Sequence, residues 1–353
     1  MNKHIFRFTI LLFIASTFWS CGSSEKKAIS GENIVKNYIA EIADSVVFDR
    51  FSVVDLEALN PETNELLLFD DQKRQMLVID SEGNLVSSFN PFVEGPNYMG
   101  ERSFGWTFYG EDQMVGFGYT HFNLFSKVGK RLQRMEYPID VGGWTTMNYG
   151  RKRIIGYEKN GEASAIALIV GHRGISERTQ SYQDTMDVVF NLDFEKNETR
   201  PIFRKPEPSV YRTGGKYLGS GYPLMDHLGE GEFVVGYEAD KNIYVMNALT
   251  NALEQTIILP EAYWPIANPV DFGKKGAPDL RRVVGGVYRL KDQFLVKIFG
   301  LIPRAEFQLV QKLPRWWESP ELRQFEKKYN TLDILLLNRD GFLGRVEWNL
   351  GQI

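Results

Sequence analysis

Cysteine is nearly absent: 353 residues contain one, Cys21, so no disulfide can form within the chain and the fold rests on its core. Histidine is scarce as well, with four residues in all. No block of five or six like charges occurs, so there is no charged tail of the kind that binds nucleic acid. The net charge of −4 becomes more acidic without the first twenty residues, which carry only Lys3 and Arg7. Phosphate-backbone binding needs a basic face, and nucleic acid is therefore not an expected partner. After residue 20 no stretch reaches 18 apolar residues, so no membrane-spanning helix is expected there.

Motifs of catalysis are also missing. Gly214 and Gly219 have phosphate-loop spacing, but Ser220-Gly221 stands where Lys and Ser/Thr are needed. There is no G-x-G-x-x-G and no H-E-x-x-H, and Ser220 between two glycines is not a nucleophile elbow. Asp193, Glu195 and Asn197 alternate like calcium ligands, but the glycine of the sharp turn does not follow. Beyond residue 20 the histidines are His121, His172 and His227, in different predicted units. No cofactor and no metal are expected from the motifs.

The beginning of the chain is informative. Lys3, His4 and Arg7 precede an apolar stretch of about twelve residues, Phe8 to Trp19, the proportions of a signal-peptide core rather than of a membrane span. Phe18-Trp19-Ser20-Cys21-Gly22 resembles the lipobox of bacterial lipoproteins, with bulky Phe18 and Trp19 where Leu and a small residue are common. The expected organisation is a signal peptide over 1–20, lipidation at Cys21, a polar tether over 21–30 (Gly22-Ser23-Ser24-Glu25-Lys26-Lys27) and one domain over 31–353. Acyl chains insert with about 0.8 kcal/mol per buried methylene. The expected location is the cell envelope, at the outer membrane.

Short β-rich runs separated by turn chemistry dominate the body. Glu65 to Asp70, Gln75 to Asp80 and Leu85 to Phe89 read as three strands, with Ser81-Glu82-Gly83-Asn84 as a turn. Similar units recur at 113–135, 153–192, 232–259, 282–312 and 331–348. Within them Glu306 to Lys312 reads as a strand, and a strand near Ser45 to Val54 is expected to pair with the last hairpin. Six units of this kind predict an all-β fold, a six-bladed β-propeller of antiparallel strands, with paired β-sandwiches as the alternative. A helix is expected over 320–329, capped by Ser319 with Pro320 in its first turn, and a second over Gly31 to Ile42. The stretches 95–112 and 204–227 match no blade pattern.

The lipobox-like start, the unit at 65–89 and Glu94-Gly95-Pro96-Asn97 behind it resemble the six-bladed β-propeller lipoproteins of Bacteroidetes-type bacteria, within the NHL/TolB-like set. In that group a Gly-Pro element follows the first blade. The resemblance implies fold and location; the group has no catalytic signature to carry over.

Two places stand out as candidate ligand-binding residues. In Arg315-Trp316-Trp317-Glu318 the adjacent indoles either cover the core beneath the helix, or one of them is exposed and stacks on a sugar ring or a partner side chain. Tyr211 and Arg212 open a stretch to Tyr222 with four glycines, readable as a binding loop. The expected function is a membrane-anchored lipoprotein whose propeller binds a protein or glycan partner. The alternative is a propeller enzyme, a hydrolase or lyase on a saccharide or lactone, with metal-assisted chemistry on the central axis.

Overall fold

The computed structural model describes residues 36–41, 45–48, 52–138, 152–169 and 175–348. Cys21, the expected signal peptide, the tether and His172 lie outside the described residues. β1 (Lys36–Ala40) is followed by four antiparallel four-stranded sheets. These are β2–β5 (Val54–Leu59, Leu66–Asp70, Gln75–Ile79, Leu85–Phe89) and β6–β9 (Ser103–Tyr109, Gln113–Gly118, His121–Ser126, Arg131–Glu136). Then come β10–β13 (Ile154–Lys159, Glu162–Leu168, Val189–Asp193, Glu198–Ile202) and β14–β17 (Pro223–Gly229, Glu232–Tyr237, Asn242–Asn247, Ala252–Ile258). The last sheet has six strands: β18 (Ile266–Asn268), β19 (Asp279–Leu290), β20 (Gln293–Gly300), β21 (Leu332–Asn338), β22 (Gly341–Trp348) and β1.

The first strands of the four-stranded sheets lie side by side, β2 by β6, β6 by β10 and β10 by β14, and β14 lies by β19 of the last sheet. Sheets stacked in this way are the blades of a β-propeller. Each junction is filled from both sides, because a small twisted sheet cannot bury both faces by itself. Leu67, Met76 and Val78 of blade one meet Trp106, Phe108 and Met114 of blade two. Val115 and Phe117 meet Ala165 and Phe190. Ile166 and Val189 meet Phe233 and Val235. Val234 and Val245 meet Val284 and Val296. Among the described residues no buried cluster joins blade five to blade one, and Phe48 with Val54 packs on Leu68, Leu77 and Ile79 instead.

The blades number five, not the six expected. Phe294 of β20 faces Leu337 of β21, so the units expected at 282–312 and 331–348 are one blade. A helical insertion separates the two halves. It holds α3 (Arg304–Val310) and α4 (Pro320–Tyr329) if the short helices α1 (Gln180–Thr185) and α2 (Val210–Thr213) are counted first. The expected strand Glu306 to Lys312 is therefore largely α3. Ala305, Phe307 and Leu309 alternate as in a strand, whereas Phe307 and Val310 stand three apart as on a helix face, and a run of seven residues carries both patterns. The expected helix at 320–329 is α4, and the Ser319 side chain accepts from the Leu322 amide.

Two further expectations change at the start of the domain. In place of a helix over Gly31 to Ile42, Lys36–Ala40 is a strand parallel to β22, with Tyr38 opposite Val346. The closing strand is thus β1 and not Ser45 to Val54. Gly344 permits the approach, since a Cβ there would come 2.2 Å from the Lys36 carbonyl oxygen. The unassigned stretch 95–112 holds β6, the first strand of blade two, and 204–227 leads into β14. Among the described residues no helix is long and apolar enough to cross a membrane.

One inter-blade contact is sensitive to pH. Trp106 N donates to Glu57 Oε2 at 3.0 Å across the junction of blades one and two. Burial pushes the Glu57 carboxyl up to about 7, with Asp55 adding a smaller effect in the same direction. The unfolded chain ionises this group near pH 4.5 while the folded chain keeps its proton to about 7, so its contribution falls as pH rises between those values. Allowing for partial exposure, the loss is about 2 kcal/mol. Urea titrations of Glu57→Gln are expected to show a more stable protein at pH 8 and no difference at pH 4. Parallel pH profiles for the two proteins would contradict a protonated Glu57.

Candidate functional site

Strand alternation sorts the connections of the propeller onto two ends. First-to-second and third-to-fourth connections leave one end, at 60–65, 80–84, 110–112, 127–130, 160–161, 194–197, 230–231, 248–251, 291–292 and 339–340; none exceeds six residues. The other end carries 90–102, 137–153, 169–188, 203–222, 259–278 and 301–331 as well as three short turns. The tight turns bond to one another: Asn60 Nδ2 donates to the Gly110 carbonyl, Gln133 Nε2 to the Phe194 carbonyl, and Lys127 pairs with Glu65 at 2.9 Å. Gly83 (φ 87°) supplies the positive φ that the turn at 80–84 requires.

The long connections also meet one another. Tyr217 and Val270 exchange backbone hydrogen bonds, and Arg178 Nη1 donates to the carbonyls of Lys274 and Gly276 at 2.9 and 2.6 Å. Where 169–188 meets 203–222, a polar group is enclosed. Glu177 accepts from the Tyr217 hydroxyl at 3.1 Å, the Ser220 hydroxyl at 2.7 Å and the Tyr222 hydroxyl at 3.3 Å. Gln183 Nε2 donates to the Glu177 carbonyl at 3.0 Å. Beside this group lies Lys205, only 3% exposed, its ammonium 5.5 Å from the centre of the Tyr182 ring and without a hydrogen-bond partner among the described residues.

Burial lowers the Lys205 ammonium to about 8, against an upward pull from Glu177 and Asp184. The same burial raises the Tyr217 hydroxyl to about 12, with Glu177 adding to it. Gly221 (φ 61°) makes the packing possible, because a Cβ there would stand 2.5 Å from the Tyr211 ring and 3.0 Å from Lys205 Cε. Chemically this is a carboxylate among three donating hydroxyls, next to a buried ammonium that has no hydrogen-bond partner among the described residues.

The expected site residues fall in two places at this end. Tyr211 is buried in the core, its ring 6.0 Å from that of Tyr237 and its hydroxyl accepting from the Ala239 amide. Arg212 spans the connections, donating to the Lys205 carbonyl at 3.2 Å and lying 3.8 Å from Asp184. Both lie against the group around Glu177 and Lys205.

Trp316–Glu318 form a single 3-10 turn behind Arg315, whose φ of 48° is strained for a residue with a side chain. Trp316 packs edge-on against Phe307 of α3 at 5.4 Å, and Trp317 stands perpendicular to it at 6.1 Å. Trp316 is thus packed against α3, and Trp317 is 60% exposed. Arg315 and Glu318, 3.6 Å apart and both exposed, add little stability.

The two described histidines lie in different blades. His121 lies in blade two; His227 lies in blade four, packed on Tyr157 and Phe233, where burial lowers its ring to about 4. Among the described residues no group of three or more His, Cys, Asp or Glu is placed to hold a metal.

Five stacked blades among the described residues, antiparallel except for the β1–β22 pair, make this chain a β-propeller. No family model matches it, and no curated protein matches it. Among solved structures, a member of the DUF4221 family from Bacteroides vulgatus is similar, with a TM-score of 0.51 at 12% identity over 85% of this chain and 86% of that one. U3-55K and the Neurospora crassa Pan2 WD40 domain reach TM-scores of 0.43 and 0.42 at 9% and 8% identity. They cover 82% and 84% of this chain and 65% of their own lengths. Likeness at these identities concerns the fold alone.

Proposed function

We propose that this chain is a lipid-anchored binding module of the cell envelope that holds a protein or glycan ligand on the end of the propeller carrying the long connections. One observation carries the proposal: every connection longer than six residues leaves the same end. A rigid scaffold with its variable loops gathered on one side is the usual architecture of a binding surface. The enclosed group around Glu177 and Lys205 and the exposed indole of Trp317 support it, since both are costly to a fold that does not use them. The anchor rests on the apolar stretch before Cys21 and the Gly/Ser tether after it.

The test is a glycan array and a solution binding assay on the chain and its Trp317→Ala and Lys205→Met variants. A ligand bound by the parent and about tenfold more weakly by either variant supports the proposal. A ligand whose binding ignores both substitutions but is lost on replacing Arg339 in a tight turn would place recognition at the opposite end. Mass spectrometry of the mature N-terminal peptide checks the anchor: acylated Cys21 is expected, and a free thiol there refutes it.

A further inference from the structure

The helical insertion of blade five leaves a groove of about 420 Å³ between α3, the end of α4 and the start of β19. Arg281, Arg282, Leu301, Glu306, Lys328 and Tyr329 are among the residues that line it. Its volume falls within the range of small-ligand sites. Three lining side chains are cationic and one is a carboxylate, so the groove favours an anion.

The cations differ in what they have left to offer. Arg281 Nε is engaged by Asp279 at 3.0 Å. Arg282 uses Nη1 on the Ala262 carbonyl, which leaves the rest of its planar fork of donors for the groove. Lys328 lies 4.5 Å from the centre of the Tyr329 ring on the exposed surface of α4. On the wall, Glu306 Oε1 accepts from the Tyr329 hydroxyl at 2.5 Å, while Glu306 Oε2 is enclosed and has no hydrogen-bond partner among the described residues. Leu301 and the Tyr329 ring add apolar surface.

These demands act together on one small molecule: an anionic group for Arg282 and Lys328, hydroxyls for the Tyr329 hydroxyl that Glu306 holds, and a flat apolar face for Leu301 and the Tyr329 ring. We propose that the groove binds an acidic saccharide unit, its carboxylate held between Arg282 and Lys328 and its ring lying along Leu301 and Tyr329. An acidic peptide satisfies the first demand but brings fewer hydroxyls to the Tyr329 hydroxyl and its partner Glu306. α3 carries Glu306 to the groove and Phe307 to Trp316, so a single seven-residue helix links this groove to the tryptophan turn. The proposal rests on the loop-end binding reading above and names its ligand class.

The test is titration calorimetry of the full chain with trigalacturonate, with neutral galactotriose in parallel and salt varied. Binding of trigalacturonate is expected to exceed that of galactotriose at least tenfold and to weaken as salt rises. Lys328→Gln and Arg282→Gln should each weaken it about tenfold, the size expected for one charge-assisted hydrogen bond. Lys328 is exposed, so its variant keeps the test meaningful should Arg282→Gln disturb the Ala262 contact. Equal binding of the charged and neutral sugars, no binding of either, or binding indifferent to Lys328→Gln overturns the groove assignment. A different ligand that depends on Trp317 or Lys205 would then leave the loop-end reading standing.

Discussion

A Trp106→Ala chain is expected to unfold in urea with about 4 kcal/mol less stability than the parent, the cost of a large cavity at a sealed junction. Trp106 is 1% exposed and sits where blades one and two meet. Its ring lies 5.4 Å from Phe125 and 5.9 Å from Phe89, and its Nε1 donates to Ser103 Oγ at 3.0 Å. The fit depends on Gly116, where a Cβ would come 2.7 Å from the indole. Gly116→Ala alone should therefore cost about 1–3 kcal/mol by overpacking. The double variant should be more stable than the sum of the two losses implies, because the added methyl enters the space the indole vacates. Additive losses would mean that the two residues do not share this packing.

The second large effect has the opposite sign. Lys205→Met is expected to stabilise the protein by about 3 kcal/mol at pH 7, as removal of an unpaired buried charge does. The folded ammonium titrates at about 8 and the unfolded one at 10.5. Below 8 both states hold the proton, and the full cost of burying the charge is present. Between 8 and 10.5 the folded state releases its proton first, so the parent gains stability as pH rises. The advantage of the variant should shrink across that window and vanish above it. Urea denaturation of both proteins from pH 7 to 10.5 gives the comparison directly. Equal stability throughout would mean that the ammonium has a partner. With the cost confirmed, the enclosed group at the loop end is one that the fold retains against its own stability.

How far the sequence could be read depended on where each strand sits in its blade. The second, third and fourth strands of blade one, Leu66–Asp70, Gln75–Ile79 and Leu85–Phe89, lie within a residue of their expected bounds. They are short, apolar and bracketed by turn residues, so local chemistry is enough. Two of the first strands, β6 and β14, were not legible. Ser103–Tyr109 has aromatic residues and a glycine in place of a clean alternation, because it packs against blade one through Trp106 and Phe108 and against blade three through Tyr109. The blade count failed for a related reason. β20 and β21 pair across a thirty-residue helical insertion, and pairing over such a distance leaves no local mark.

The site divides in the same way. Arg315 to Glu318 was visible because adjacent tryptophans are chemically conspicuous wherever they stand. Glu177 and Lys205 were not. Nothing near either residue announces an enclosed polar group, and the only hint was the glycine-rich run that ends at Tyr222.

The amino-acid order by itself determined the all-β class, the strand–turn–strand units, the capped helix at Pro320–Tyr329 and the lone cysteine behind an apolar stretch. Each of these depends on a few neighbouring residues: side-chain period, turn glycines, a capping hydroxyl. Tertiary structure alone decided that there are five blades, that β1 closes onto β22, and that the long connections share one end and bring Glu177 to Lys205. Those outcomes follow from which sheets stack and which edges pair. Stacking and pairing are set by surface buried between residues far apart in the chain.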